Sequence, residues 1–332
     1  MTAITSLAPA APRPHGLARL SPAPGLLAGL AWLAAALFTA AWPDRQDVDR
    51  SLTLAALQVL GAGWLIAATL LGNAVPRLGI WSRSVAAWAV LLAVLVSFWQ
   101  LVTAKLDLLP LPFFASPQAL LEVYTDDWAR LGDSLLHSVL LLAKGYLIGA
   151  AIGFATGVSV GWSRAVGYWV HPVLRLIGPL PATAWIPLAF FVFPSSGSAS
   201  IFLIALATSF PVTVLTWSGV ASVSGAYYDV ARTLGASQRF LIFKVAIPAA
   251  LPHVFVGLFM GLGASFSVLV VAEMLGVKSG LGWYLQWAQG WAAYASMYAA
   301  LLVMAAMCTT LITLLFRLRD RTLAWQKGLV KW

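Results

Sequence analysis

Few residues in this sequence have the types and spacing that enzymatic chemistry requires. It contains no G-x-x-x-x-G-K-[ST] loop for a nucleotide, and no Ser/His/Asp, Cys/His or paired-carboxylate arrangement stands out. The single cysteine, Cys308, lies in an apolar run, where we expect a small buried residue. His137, His171 and His253 lie near the ends of apolar runs, and we expect interfacial polar groups there. The sequence therefore predicts no enzymatic activity, no cofactor and no metal site.

Glu273 is the one acidic residue inside a long apolar run. Ionisable groups are costly in hydrocarbon and are often functional there. Two interpretations stay open at this point. Glu273 gates or polarises a transport path, or, because it lies near the end of its run, its side chain simply reaches the membrane surface.

The composition places these residues in a membrane. Of the 332 residues, 61% are apolar and 9% are charged, whereas an ordinary globular domain is about 45–50% apolar and about 25% charged. A soluble core cannot hide such an excess, and lipid is its natural solvent. The net charge of +9 does not indicate nucleic acid, because the basic residues are distributed between the apolar runs.

Eight segments are long and apolar enough to cross a membrane, which takes about 20 residues. The predicted fold is an all-α polytopic helical bundle with spans at 25–42, 52–73, 84–103, 134–161, 167–193, 200–219, 253–275 and 295–316. The first is predicted to be a span and not a cleaved signal. The fifth contains four prolines, so we expect it to be broken into a short interfacial piece and a main span.

The charges between these segments predict the topology. If every segment crosses and the N-terminus is cytoplasmic, the cytoplasmic parts hold thirteen Lys and Arg residues and the external parts hold five. Lys144 and Arg175 fall within spans. An even number of spans, with both termini cytoplasmic, is therefore favoured. Residues 1–24 and 328–332 are predicted to be terminal tails.

The cytoplasmic segment 220–252 is the most informative part of the chain. Asp229 is expected in the first turn of a helix, where the helix dipole favours an acid, and Val230 and Leu234 share one face. Gly235 suits a left-handed helix end.

Ser237 can cap a second helix, which we expect to end at Pro248 and Pro252 and to carry an apolar stripe of Phe240, Phe243 and Ile247. Two short helices cannot bury an apolar ridge alone, so it must dock on something. The alternatives are that the ridge packs on its own bundle or lies flat on the membrane.

The fourth span carries glycines four residues apart, at Gly145, Gly149, Gly153, Gly157 and Gly161. They form one stripe on the helix, which lets another helix approach closely. Either the stripe is static packing within one protomer, or it is a packing or sliding surface along a translocation path.

The stretch Asp229-Val-Ala-Arg-Thr-Leu-Gly-Ala, followed by Ile247-Pro-Ala-Ala-Leu-Pro252, resembles the "EAA" loop of permeases in binding-protein-dependent ABC importers. Asp229 stands where that motif usually has Glu, and Val230 where it often has Ala. The resemblance implies coupling helices that sit in a groove of a separate ATPase subunit. The residues that carry this prediction are Asp229, Ala231, Arg232, Leu234, Gly235, Ala236, Pro248 and Pro252.

Other segments resemble the branch that imports nitrate, sulfonates and taurine. They include the run from His171 to Leu188, Glu273 followed by Gly280-Leu-Gly282, Leu111 to Pro117 ahead of Ser138, and Arg321 to Trp325. Leu141, where the branch often has Arg, and the segment after Phe193 depart from the pattern. The resemblance implies a permease homodimer in a bacterial inner membrane, an ABC ATPase subunit, a periplasmic or lipid-anchored solute-binding protein, and a small solute such as an oxyanion.

The resemblance covers about 84–327, which is predicted to be the permease domain, and leaves 25–83 as two extra N-terminal helices. A secondary transporter driven through Glu273 is the alternative function, although we see no two similar halves in the chain. A membrane scaffold without transport activity is the third.

Overall fold

A computed structural model describes residues 23–326, and all regular elements in that range are helical. The predicted tails lie outside it except for residues 23 and 24. The helices are α1 (Ala23–Ala41), α2 (Ser51–Leu70), α3 (Pro76–Gln100), α4 (Pro117–Asp126), α5 (Trp128–Trp162), α6 (Arg164–Ile177), α7 (Ile186–Val192), α8 (Ser196–Ala221), α9 (Gly225–Thr233), α10 (Gln238–Phe240), α11 (Ile247–Leu275), α12 (Leu281–Gly290) and α13 (Tyr294–Thr322).

Seven segments of the described chain are long and apolar enough to cross a membrane. They are α1, α2, α3 with its extension to Lys105, α5, α8, the continuous segment Gln238–Leu275, and α13. An eighth crossing results if α6 and Ala182–Val192, a short 3-10 turn leading into α7, count as one bent span. The predicted all-α polytopic bundle is confirmed.

The fifth predicted span is broken, but not as the sequence suggested. Arg164–Ile177 and Ala182–Val192 meet at 87°, and neither piece has the ~20 residues of a full span. The break falls at Gly178–Pro181, where prolines 179 and 181 remove backbone donors and Pro181 is extended. The expected main span does not exist, because the crossing is shared between two shorter helices.

The packing of α5 on α8 shows that this bent pair crosses the layer. Gly145 contacts α8 at Ile204, and Gly161 contacts it at Val220, so the two helices run parallel. Because α5 and α8 point the same way, the chain between them must return across the full layer. The contacts of the bent pair follow this return path. Gly178 lies beside Phe210 near the middle of α8, and Phe193 lies beside Phe202 nearer the start of α8.

The glycine stripe of α5 brings the backbones of α5 and α8 into close contact. A methyl group on Gly149 would lie 2.4 Å from the carbonyl oxygen of Ala205, and one on Gly153 would lie 2.6 Å from that of Ser209. Lipid gives no hydrophobic driving force for helix association. The close approach of the two backbones instead stabilises the helix pair through van der Waals contacts. We call this contact the α5–α8 seam.

A neighbouring face of α8 seats α11 in the antiparallel direction. Gly257 lies against Val212 and Gly261 against Thr208, and the hydroxyls of Thr208 and Ser265 are 2.6 Å apart. α8 is therefore enclosed by α5 and α11, and its Leu203, Ile204 and Val212 are fully buried.

The chain divides into two compact units, one of residues 1–111 with 116–121 and the other of residues 112–115 with 122–332. This division groups the third span with the first two, whereas the sequence placed a domain boundary after residue 83; the permease domain of 84–327 stays a prediction. The described part of the first unit holds α1, α2 and α3 around buried polar groups. Thr39 bonds to Gln58 and Gln100, and the buried Lys105 lies 2.9 Å from Asp44.

The seam yields a stability prediction. Gly149→Ala should destabilise the protein by about 1–3 kcal/mol, because the new methyl must push two backbones apart. Gly132→Ala is the matched control on the same helix, since nothing lies within 4 Å of its added methyl. The midpoint of thermal unfolding in detergent measures both. Equal midpoints for the two variants would contradict the close approach.

Candidate functional site

The segment after α8 forms the predicted helix–turn–helix, with one difference in register. α9 begins at Gly225, so Asp229 lies in its second turn, and the expectation of a first-turn acid was wrong. Asp229 instead pairs with Arg232 at 3.4 Å, and both side chains are more than half exposed. An exposed pair of this kind contributes little stability, which leaves both charges available at the surface.

Gly235 ends α9 in a Schellman motif. Its φ of +78° is left-handed, its N–H donates to the Arg232 carbonyl at 2.9 Å, and the Ala236 N–H donates to the Ala231 carbonyl at 3.0 Å. These two bonds satisfy carbonyls that the helix end would leave unpaired. Ser237 then caps α10 by accepting from the Phe240 N–H at 3.4 Å. The local sequence alone thus dictates the turn.

Large apolar side chains of this segment are exposed. Val230 is 62% exposed and Leu234 is 82% exposed. A concavity of the segment is lined by the set that we call the coupling ridge, namely Tyr227, Val230, Ala231, Leu234, Gly235, Ala236, Ser237 and Phe240. The alternative that the ridge packs on its own bundle is wrong for the described residues.

One residue anchors the base of α9 to the bundle. Tyr228 meets the Trp162 ring edge-on at 5.8 Å, beside the buried Val220, Ala246 and Ala250. Burial raises the pKa of Tyr228, and Arg232 partly opposes that rise, so the phenol stays neutral in this contact. α9 is thereby fixed on one face while the coupling ridge remains exposed on the other.

Pro248 and Pro252 do not end the second helix, contrary to the expectation from the sequence. Gln238–Leu275 runs as one span, with Pro248 in the first turn of α11 and Pro252 inside it. A wider π-helical turn, Leu241–Ala246, precedes Pro248. Such a turn accommodates a proline ring and its missing N–H without breaking the helix.

Glu273 lies at the far end of this rod and is fully buried. The Ser138 hydroxyl of α5 donates to its carboxylate at 2.7 Å, and the Gly282 N–H at the start of α12 donates to it at 2.8 Å. Ser138 also accepts from the Leu281 N–H at 2.7 Å. The side chain therefore does not reach the membrane surface. It joins α5, α11 and α12 in what we call the Glu273 latch.

Gly280 is required for the latch for two reasons. Its φ is +107°, and an added methyl would lie 2.3 Å from the Glu273 carboxyl group. The carboxylate therefore sits against bare backbone at the N-terminus of α12, where the helix dipole and free N–H groups favour a negative charge.

A second cluster surrounds the other turns of α12, and sequence reasoning did not find it. The buried Tyr284 donates to Asp127 at 2.7 Å, and Arg130 lies 3.7 Å from Asp127 and 4.5 Å from the centre of the Trp287 ring. Burial, with the Asp127 hydrogen bond, raises the pKa of Tyr284 to about 12, so Tyr284 is a neutral donor at physiological pH. About 157 residues separate Tyr284 from Asp127, and no local spacing signals the pair.

The predicted site residues thus fall into four places. Asp229 to Ala236 form the turn and ridge, Gly145 to Gly157 lie in the α5–α8 seam, and Glu273 lies in the latch. Pro248 and Pro252 lie in the rod between the ridge and the latch. Whether the seam or Glu273 also lines a translocation path stays a prediction.

Comparison with known proteins matches residues 145–324 to the family described as binding-protein-dependent transport system inner membrane component. Among curated relatives, the nitrate import permease protein NrtB of Synechococcus elongatus is 30% identical over 59% of this chain and 74% of its own length. The putative aliphatic sulfonates transport permease protein SsuC of Bacillus subtilis is 31% identical over 58% and 70%. The taurine transport system permease protein TauC of Escherichia coli is 35% identical over 58% and 72%.

The latch yields a second stability prediction. Gly280→Ala should destabilise the protein by about 2 kcal/mol or more, since it combines a left-handed backbone with a clash against a buried carboxylate. Gly290→Ala, at the other end of α12, meets nothing within 4 Å and is the control.

A double-mutant cycle tests the hydrogen bond itself. Ser138→Ala and Glu273→Gln should show a coupling energy of about 0.5–3 kcal/mol in thermal unfolding, because the two side chains share one network. Strictly additive effects would show that the latch contact is absent in the folded protein.

Proposed function

This chain belongs to the family of inner membrane components of binding-protein-dependent transport systems, and on that premise we propose that it forms the translocation path of an ATP-driven importer for nitrate, a sulfonate, taurine or a related small solute. Family membership makes it a permease and a transport component, not an enzyme. Its apolar helices make it a multi-pass membrane protein. The solute class follows the names of the relatives.

The observation that carries the proposal is the exposed coupling ridge. Leu234 and Val230 present apolar surface on a helix with no buried residue of its own. Exposed apolar patches of this kind mark docking sites. We assign the ridge to a groove in a separate ABC ATPase subunit, where burial of Leu234 would stabilise the complex.

The continuous rod supports a mechanism for coupling. Gln238–Leu275 has 38 residues, or about 57 Å of helix at 1.5 Å per residue. One end leaves the ridge after Gly235, and the other carries Glu273 in the latch. Closure of the ATPases on ATP would draw the ridges together, and a stiff rod would carry that movement to the latch and open the outer end.

The ridge also orients the chain. With α9 and α10 in the cytoplasm, the parallel α5 and α8 both run inward, and the latch and α12 lie at the external end. Eight crossings then put both termini in the cytoplasm, in agreement with the basic inner segments. We place the protein in a bacterial inner membrane as a homodimer with two ATPases, and a solute-binding protein delivers the solute at the external end.

The secondary-transport alternative is disfavoured by the surroundings of Glu273. An ion-coupling carboxylate must meet its ion from a polar cavity. The Glu273 carboxylate is instead fully buried and occupied by Ser138 and Gly282.

Two variants test the coupling role. Leu234→Glu should weaken binding to the ATPase subunit more than about tenfold, because a charge replaces buried apolar surface. Gly235→Ala should reduce ATP-dependent uptake several-fold, because the left-handed turn costs an L-residue about 1–2 kcal/mol. Co-purification with the genetically adjacent ATPase and uptake into proteoliposomes measure the two effects.

Gly225→Ala is the matched control, since its methyl also meets nothing within 4 Å and its backbone is not left-handed. Uptake at the wild-type rate by both ridge variants, or the absence of any associated ATPase, would sink the proposal.

A further inference from the structure

One face of α6 carries polar side chains although the helix forms the inner part of a membrane crossing. Arg164, Tyr168, His171 and Arg175 are spaced by four, three and four residues, which places them within about 60° of one another on a helix. The opposite face carries exposed apolar groups, with Trp169 75% and Leu176 73% exposed. The apolar face suits lipid, and the polar face requires another environment.

Contacts with α8 fix the depth of this polar face. The His171 ring lies 4.3 Å from the Trp217 ring, and Gly178 lies against Phe210. α6 therefore runs antiparallel along α8, and Arg175 lies near the level of Val214, with which it lines one concavity. α8 continues from Val214 to Ala221, so Arg175 lies about 10 Å from the inner end of α8 at 1.5 Å per residue.

No acidic side chain of the described part of the second unit lies at this depth. The carboxylates toward the external end are Glu122, Asp126, Asp127, Asp133 and Glu273, and those toward the inner end are Asp229 and Asp320. An unneutralised guanidinium facing hydrocarbon is strongly unfavourable. The polar face of α6 therefore adjoins water, an anion or both.

We propose that His171 and Arg175 form a binding site for the transported oxyanion in the inner half of the path, a role that rests on the proposed import function. The concavity has a volume of about 530 Å³ and is also lined by Leu174, Gly178, Phe210 and Trp217. A planar guanidinium binds nitrate or a sulfonate through two parallel N–H donors. The Phe210 and Trp217 rings pack against the carbon chain of an organic sulfonate.

Charge-selective labelling tests the site directly. The chain has one cysteine, so Val214→Cys in a Cys308→Ala background gives a single thiol in the concavity. Each reagent's rate is divided by its rate with a small free thiol in solution. In the assembled transporter, the normalised rate of the anionic 2-sulfonatoethyl methanethiosulfonate should be about tenfold higher than that of its trimethylammonium analogue, because Arg175 attracts the anion. Nitrate or methanesulfonate should slow that reaction, whereas the uncharged dimethyl sulfone should not.

Arg175→Gln in the same background should abolish the preference for the anionic reagent. No reaction with either reagent, equal normalised rates for both, or a preference that survives Arg175→Gln would overturn the site. Because protection by nitrate is measured with Arg175 intact, the test holds even if Arg175→Gln fails to fold.

Measurements of solute uptake test whether the site contributes to transport. With permease, ATPase and binding protein in proteoliposomes, Arg175→Gln should lower nitrate or methanesulfonate uptake about tenfold, with Arg175→Lys intermediate. Lys144→Gln, which removes a cation outside this concavity, is the control. Wild-type uptake by Arg175→Gln would overturn the anion site alone. Absence of ATP-dependent uptake by the wild-type complex would instead overturn the proposed function.

Discussion

The close approach of α5 and α8 is the contact on which the rest of the second unit depends. Five glycines at four-residue spacing bring the two backbones together along almost the whole length of α8. Because the two helices run parallel, the chain between them must cross the layer again within residues 163–195. A return crossing between α5 and α8 is therefore a consequence of the seam, and prolines 179 and 181 break that crossing into α6 and α7.

The seam also positions α8 for its contact with α11. α8 packs against α5 and also seats α11, through Gly257, Gly261 and the Thr208–Ser265 hydroxyl pair. The rod Gln238–Leu275, which contains α11, joins two chemically different ends, an exposed apolar ridge and a buried carboxylate. In the proposed mechanism, this rod transmits motion between those ends.

The sequence predicted local backbone conformation correctly where a single residue determines that conformation. Gly235 predicted a left-handed helix end and Ser237 a cap, since both features depend only on neighbouring residues. Predictions failed where tertiary packing overrides local preference. Pro248 was expected to end a helix, but the π-helical turn before it accommodates the proline ring and the helix continues. Asp229 was expected in the first turn of α9 but lies in the second. The start of α9 has no side-chain cap, so the sequence did not mark where the helix begins.

The sequence by itself determined that this protein is an all-helical multi-pass membrane protein, which face of α5 packs and where the ridge turns. These properties follow from composition and from periodicity within one helix. Only the tertiary structure decided which helices meet. Glu273 is hydrogen-bonded to Ser138, 135 residues away, and Tyr284 is hydrogen-bonded to Asp127, 157 residues away. The depth of Arg175 likewise depends on its neighbours in α8. A helical period fixes the direction in which a side chain points, but the partner that it meets depends on the path of the whole chain.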